Sequence, residues 1–89
     1  MKPKFRFFLT LKAQADLERL SPELAVRVRK KLRYFFSSPT PMIFAKPLTN
    51  LPPATHRFRI GNLRVTFFRQ ENTFYIMRIG FRRDIYQRH

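Results

Sequence analysis

Residues 56–68 constrain this chain more than any other stretch. They read HRFRI, then Gly61-Asn62, then LRVTFF. Two alternating runs joined by two such residues form a β-hairpin with a tight turn. A two-residue loop sets Ile60 opposite Leu63. Register then sets Arg59 opposite Arg64, Phe58 opposite Val65 and Arg57 opposite Thr66. One hairpin face is therefore Arg57, Arg59, Arg64, Thr66 and Phe68, and the other is His56, Phe58, Ile60, Leu63, Val65 and Phe67. The second set reads as core. The first sets two arginines directly across from each other, which destabilises a sheet. Only Glu71 and Asp84 are acidic in this half of the chain, so ion pairing does not account for the arrangement. Cations placed in this way are expected to serve an anion.

The charge balance agrees. Lys and Arg number 19 against 5 acids, for a net charge of +14. A compact chain with that charge repels itself unless an anionic partner is near, which points to nucleic acid or an acidic protein. All six lysines lie at or before Lys46, and every later basic side chain is arginine. The guanidinium fork matches phosphate oxygens in a way the lysine point charge does not. At 44% hydrophobic and 16% aromatic, with eleven Phe, the chain is not a disordered basic tail. The absence of cysteine excludes a disulfide scaffold and a Cys-ligated zinc site. No two carboxylates sit at catalytic spacing, and no His/Asp/Glu cluster suggests a metal, so neither metal nor cofactor is expected. The longest apolar runs are four residues, against ~20 for a membrane span and ~7–15 for a signal peptide's core. The expected location is the cytoplasm, with no membrane partner.

Length allows one domain, residues 1–89. Residues 4–9 alternate, with Phe5, Phe7 and Leu9 on one side and Lys4, Arg6 and Phe8 on the other, as a half-buried strand would. Thr10 can cap a short helix over residues 11–20. Ser21-Pro22-Glu23 restarts a second helix: Ser at the N-cap, Pro at the first position, Glu at the positive end of the dipole. Leu24, Val28, Leu32 and Phe35 are its apolar stripe. Arg27, Arg29, Lys30, Lys31 and Arg33 lie outside it. Residues 37–53 hold five of the seven prolines and read as a rigid connection, with a brief extended piece near residues 42–44. Strands over 55–60, 63–70 and 74–82 follow. The expected fold is α+β and two-layer: an antiparallel β-sheet packed on an N-terminal helix hairpin, in the order β-α-α-β-β-β.

A three-residue loop, Glu71-Asn72-Thr73, would set Gln70 against Phe74, Phe68 against Ile76, Thr66 against Arg78 and Arg64 against Gly80. Arg78 then joins the basic face, and Arg82 lies just past Gly80 on the same side. Tyr75, Met77, Ile79 and Phe81 would point to the core. Gly80 would leave a gap beside Arg64 where a backbone or ligand can come close. Alternation puts His56 on the apolar side, where a structural role is expected.

Three phrases occur in order: AKPLTNL, then HRFRIGNLRVTFF, then IMRIGFRRDIY. Together with the element order they resemble the RelE/ParE toxin superfamily of bacterial toxin–antitoxin pairs. The resemblance spans nearly the whole chain, by motif from Lys46 to Tyr86 and by pattern before that. It implies the RelE-like fold. For the RelE branch it implies a metal-independent endoribonuclease that cuts mRNA in the ribosomal A site and is neutralised by a cognate antitoxin. For the ParE branch it implies a DNA gyrase poison without the full set of RNA-cleaving residues; an inactive relative that only binds antitoxin or RNA is a third possibility.

RelE-type active positions fall on Arg57, Arg59, Arg64, Arg82 and Tyr86, and the closing GFRRDIY favours the RelE branch. RNA contacts are expected from Arg78, Arg83, Arg27, Lys30, Lys31, Arg33 and Lys46. Two positions depart from the pattern. Relatives often have lysines at Arg57 and Arg59, and often His at Phe81. Arginine stays protonated at any working pH and cannot replace lysine as a base.

Overall fold

A computed structural model describes residues 5–86; Lys4 of the expected first strand lies outside them. The elements are β1 (Arg6–Leu9), α1 (Leu11–Arg19), α2 (Pro22–Ser37), a 3-10 turn (Pro41–Phe44), β2 (Ala45–Pro47), β3 (His56–Ile60), β4 (Leu63–Gln70), β5 (Thr73–Phe81) and α3 (Arg82–Tyr86). The strands form one sheet in the order β1-β5-β4-β3-β2. From β3 to β5 the ladder is antiparallel, as expected; β2, a strand the sequence did not lead one to expect, joins β3 antiparallel, and the residues near 42–44 expected to be extended form the 3-10 turn. The sheet as a whole is mixed, because β1 joins parallel to β5. A parallel neighbour needs a long crossover, and the helix hairpin begins that connection.

The caps act as the sequence suggests. Thr10 Oγ1 accepts from the Ala13 N–H at 3.1 Å and donates to the Met77 carbonyl at 3.2 Å, so one hydroxyl starts α1 and ties it to β5. Ser21 Oγ accepts from the Leu24 N–H, with Pro22 opening α2. Both helices cover one sheet face. Ala13 and Leu17 of α1 and Val28, Leu32, Phe35 and Phe36 of α2 meet Phe58, Val65, Phe67, Phe74, Ile76 and Ile79. Phenylalanine rings join the layers: Phe36 lies 5.5 Å from Phe58 and 4.6 Å from Phe74, and Phe58 stacks on Phe67 at 4.5 Å. Such pairs add ~0.5–1.5 kcal/mol each beyond area burial. Arg69 closes one end of this core, its guanidinium 5.3 Å from the Phe5 and Phe74 ring centres.

The β3–β4 register is the one the hairpin implied, from Ile60↔Leu63 through Arg59↔Arg64 to His56↔Phe67. The β4–β5 register differs near the turn. The turn is Glu71-Asn72, one residue shorter than expected, with Glu71 at φ 56°, so Gln70 faces Thr73 and Phe68 faces Tyr75. A bulge between Thr66 and Phe67 then inserts Met77 as an extra residue. Beyond it Thr66 faces Arg78 and Arg64 faces Gly80, as expected. The bulge reverses parity along β5. Phe74 and Ile76 are the core residues there, while Tyr75 and Met77 are only half-buried and Phe81 is exposed. The assignment of Tyr75 and Met77 to the core is thereby corrected; beyond the bulge Ile79 is buried as expected, while Phe81, paired with Leu63, is exposed at the strand's end and is corrected too.

Candidate functional site

The sheet face away from the helices carries the basic residues in rows. Arg59 and Arg64 form one row with Gly80, and Lys46, Arg57, Thr66 and Arg78 form the next. Strand β5 ends at Phe81, and Arg82 begins a short helix that sequence reasoning did not foresee. Helix α3 folds back over the face. A Cβ on Gly80 would lie 3.6 Å from Ile85 Cγ1, and Ile85 is buried. The expected gap at Gly80 is therefore filled by the chain's own isoleucine and is not open to a ligand.

This fold-back creates the site. A shallow cleft of about 500 Å³ is lined by Arg59, Asn62, Arg64, Phe81, Arg82, Arg83 and Asp84. Its guanidinium groups come from β3, β4 and α3. Arg64 is only 8% exposed, so it is held in a fixed, largely desolvated position, whereas Arg59, Arg82 and Arg83 are exposed. One carboxylate, Asp84, stands among four guanidiniums, which leaves the cleft strongly cationic. Guanidiniums do not titrate at working pH. The cleft can bind and polarise an anion, and a desolvated guanidinium does so more strongly than a solvated one.

Of the five positions implied for catalysis, Arg59, Arg64 and Arg82 line this cleft. Arg57 sits one row along, half-buried and opposite exposed Lys46. Tyr86 is the last residue of α3, and its side chain lies outside the described residues. Among the expected RNA contacts, Arg83 lines the cleft. Arg27, Lys30, Lys31 and Arg33 are exposed on α2. The Arg27 guanidinium lies 3.5 Å from where a Cβ on Gly61 would sit, against the β3–β4 turn. Lys31 rests over the Tyr34 ring at 5.6 Å.

Arg78 is a correction. It occupies the expected row, but its guanidinium is committed to Asp16 of α1, with Nε 2.7 Å and Nη2 3.2 Å from the two carboxylate oxygens. That hydrogen bond, opposed by partial burial and helped by the carboxylate's charge, raises the Arg78 pKa above its ordinary value. Asp16 also accepts from the Ile79 N–H at 2.9 Å. It thus caps the β5 backbone beyond the stretch paired with β1, which runs only from Thr73 to Ile76. Sequence reasoning passed over this buried acid. The available signal was its place beside Ala13 and Leu17 on the inward side of α1.

His56 is stacked on Phe67 at 5.9 Å, with Nδ1 2.9 Å from Thr55 Oγ1, on the core side and away from the cleft. Among the described residues no three His, Asp or Glu side chains come together as a metal would require, and no helix is long and apolar enough to cross a membrane.

No protein-family model matches the sequence, and no curated protein matches it. Solved structures do share its fold. The toxin–antitoxin complex RelBE2 of Mycobacterium tuberculosis aligns at a TM-score of 0.69 and 23% identity, over 91% of this chain and 100% of that one. The archaeal RelE–RelB complex of Pyrococcus horikoshii aligns at 0.69 and 18%, over 89% and 96%. The chromosomal ParDE toxin–antitoxin system of P. aeruginosa aligns at 0.59 and 17%, over 88% and 96%. These likenesses establish a RelE/ParE-type fold.

Proposed function

We propose that this chain is the toxin of a toxin–antitoxin pair and cuts mRNA at the arginine cleft. The observation that carries the reading is the convergence of Arg59, Arg64, Arg82 and Arg83 from three elements on one cleft, in a fold shared with RelE–RelB complexes. Metal-free RNA cleavage uses the 2′-hydroxyl as nucleophile. It loses its proton, its oxygen bonds to the adjacent phosphorus, and the bond from phosphorus to the 5′-oxygen breaks. The 5′-oxygen takes up a proton, leaving a 2′,3′-cyclic phosphate and a 5′-hydroxyl. Negative charge gathers on the phosphoryl oxygens, where a fixed donor is worth ~2.7–4 kcal/mol of barrier.

Buried Arg64 suits that role, because it pays little reorganisation on meeting the charge. Arg82 stabilises the departing 5′-oxygen. Arg57 and Arg59 hold the strand's backbone, and water accepts the 2′-hydroxyl proton, since arginine cannot. Tyr86 stacks on or orients a base. On this reading Arg27, Lys30, Lys31 and Arg33 contact ribosomal RNA, the cognate antitoxin neutralises the cationic surface, and the protein acts in the cytoplasm.

Expression of the parent and of Arg64→Ala, with transcript 5′ ends mapped, tests the proposal. Cleaved transcripts that disappear with Arg64→Ala are expected. Growth arrest with intact transcripts and DNA damage would instead favour the gyrase reading, which the likeness to ParDE keeps in view.

A further inference from the structure

Beyond the cleft, the same sheet face carries a second feature. Phe68 of β4, Tyr75 of β5 and Phe8 of β1 are register partners, or next to them, in one row across three adjacent strands. Their rings stack in sequence. Phe68 and Tyr75 lie 4.9 Å apart at 21° between planes, and Tyr75 and Phe8 lie 6.1 Å apart at 27°. All three are on the side away from the helices, so they add nothing to the core. Phe8, at the sheet's edge, is 51% exposed.

Charge identifies the occupant. Arg6 precedes Phe8 by two residues on the same face and is exposed, and Lys46, Arg57, Arg59 and Arg64 share that face. Phe68 is four residues from Arg64 along β4, roughly 13 Å at ~3.3 Å per residue. Over the Thr66–Arg78 row lies a groove of about 370 Å³ with mixed walls, Lys12, Thr66 and the Asp16-paired Arg78 standing beside apolar Leu51, Pro53 and Ile85. Aromatic planes in line with a cationic track suit single-stranded nucleic acid, whose bases stack on rings while its phosphates follow the charge.

We propose that the Phe68–Tyr75–Phe8 stack is a base platform for single-stranded RNA, holding bases of the same strand whose phosphate occupies the arginine cleft. The inference rests on the RNA reading of that cleft. It makes the site bipartite, with phosphate fixed among arginines at one end and bases held without strict sequence choice at the other.

The chain has no tryptophan, so Phe8→Trp gives a single indole reporter in an otherwise parental protein. The probes are a short non-cleavable 2′-O-methyl RNA and a ribose-phosphate strand of equal length lacking bases. Binding is followed by anisotropy and by indole fluorescence. The RNA should quench the introduced indole, and the baseless strand should not. Phe8→Leu and Tyr75→Leu should weaken RNA binding roughly tenfold each while leaving the baseless strand's affinity unchanged. RNA that binds without quenching, or ring variants that bind RNA as the parent does, would overturn the platform and leave the cleft proposal standing. Loss of only a protein partner on ring removal, with RNA binding intact, would overturn it equally. If the parent binds neither strand, or Arg64→Ala leaves RNA binding unchanged, the RNA reading itself fails.

Discussion

Replacing Asp16 with alanine should be among the most damaging single changes available outside the phenylalanine core. Asp16 is 6% exposed and accepts three hydrogen bonds, two from Arg78 and one from the Ile79 N–H. Removal leaves the Ile79 N–H without its acceptor in a buried setting, at a cost of ~1–3 kcal/mol. The Arg78 side chain is 33% exposed, so water compensates it and the pair contributes under ~1 kcal/mol. Together about 1–4 kcal/mol should be lost, which for a domain of this size lowers Tm by at least about 4 °C. Asp16→Asn keeps an oxygen for the Ile79 N–H and should lose about half of that. On the Asp16→Asn background, Arg78→Met should lose under ~1 kcal/mol further, because no buried carboxylate is then stranded and the backbone cap stays intact. Thermal unfolding followed by circular dichroism reads all three. If Arg78→Met on the Asp16→Asn background destabilises as much as Asp16→Ala does in the parent, or if Asp16→Ala shifts Tm by less than about 4 °C, the backbone-capping argument is wrong.

The site's own geometry yields two more expectations. Gly80→Val should push on Ile85, which lies in contact with the position of the new Cβ, and lift α3 with Arg82 and Arg83. On the proposed function, RNA cleavage should then fall by more than tenfold, while Gly80→Ala, at an ordinary 3.6 Å contact, should stay near parental in melting and in transcript cleavage. Arg59→Ser should abolish much of the cleavage yet leave the protein as stable or up to ~1 kcal/mol more stable, because it relieves a directly opposed like-charge pair. A clear drop in Tm for Arg59→Ser would show that the pair is held by something other than functional need.

What the sequence disclosed follows physical lines. The β3–β4 register was legible because period-two alternation and a two-residue Gly-Asn turn admit one pairing. The helix hairpin was legible because Thr10 and Ser21-Pro22 act locally. The third strand was harder to read. Two unforeseen departures, a turn one residue shorter and a bulge one residue longer, cancel beyond Thr66. Thr66↔Arg78, Arg64↔Gly80 and the burial of Ile79 could thus be placed, while Tyr75 and Met77, between the turn and the bulge, were assigned with the wrong parity. Strand β2 escaped because Pro47 ends it after three residues. Helix α3 escaped because five residues carry no periodicity; it depends on Ile85 finding the space left by Gly80. Asp16 escaped because its partners are over sixty residues away in sequence.

The places where local rules are broken are also the places that build the cleft. Opposed arginines, a glycine inside a strand and a nearly buried guanidinium each weaken a β-sheet when taken alone. Here they depend on one another. Gly80 makes room for Ile85, Ile85 anchors α3 against the sheet, and α3 brings Arg82 and Arg83 to the cleft that Arg59 and Arg64 share. A stability-driven sequence would set a β-branched residue at the glycine and split the arginine pair. It would thereby lose both the helix and the convergence of charge. The +14 chain retains these costs together, and binding of a polyanion would offset them at a single stroke, since any ligand held only by the folded state stabilises that state.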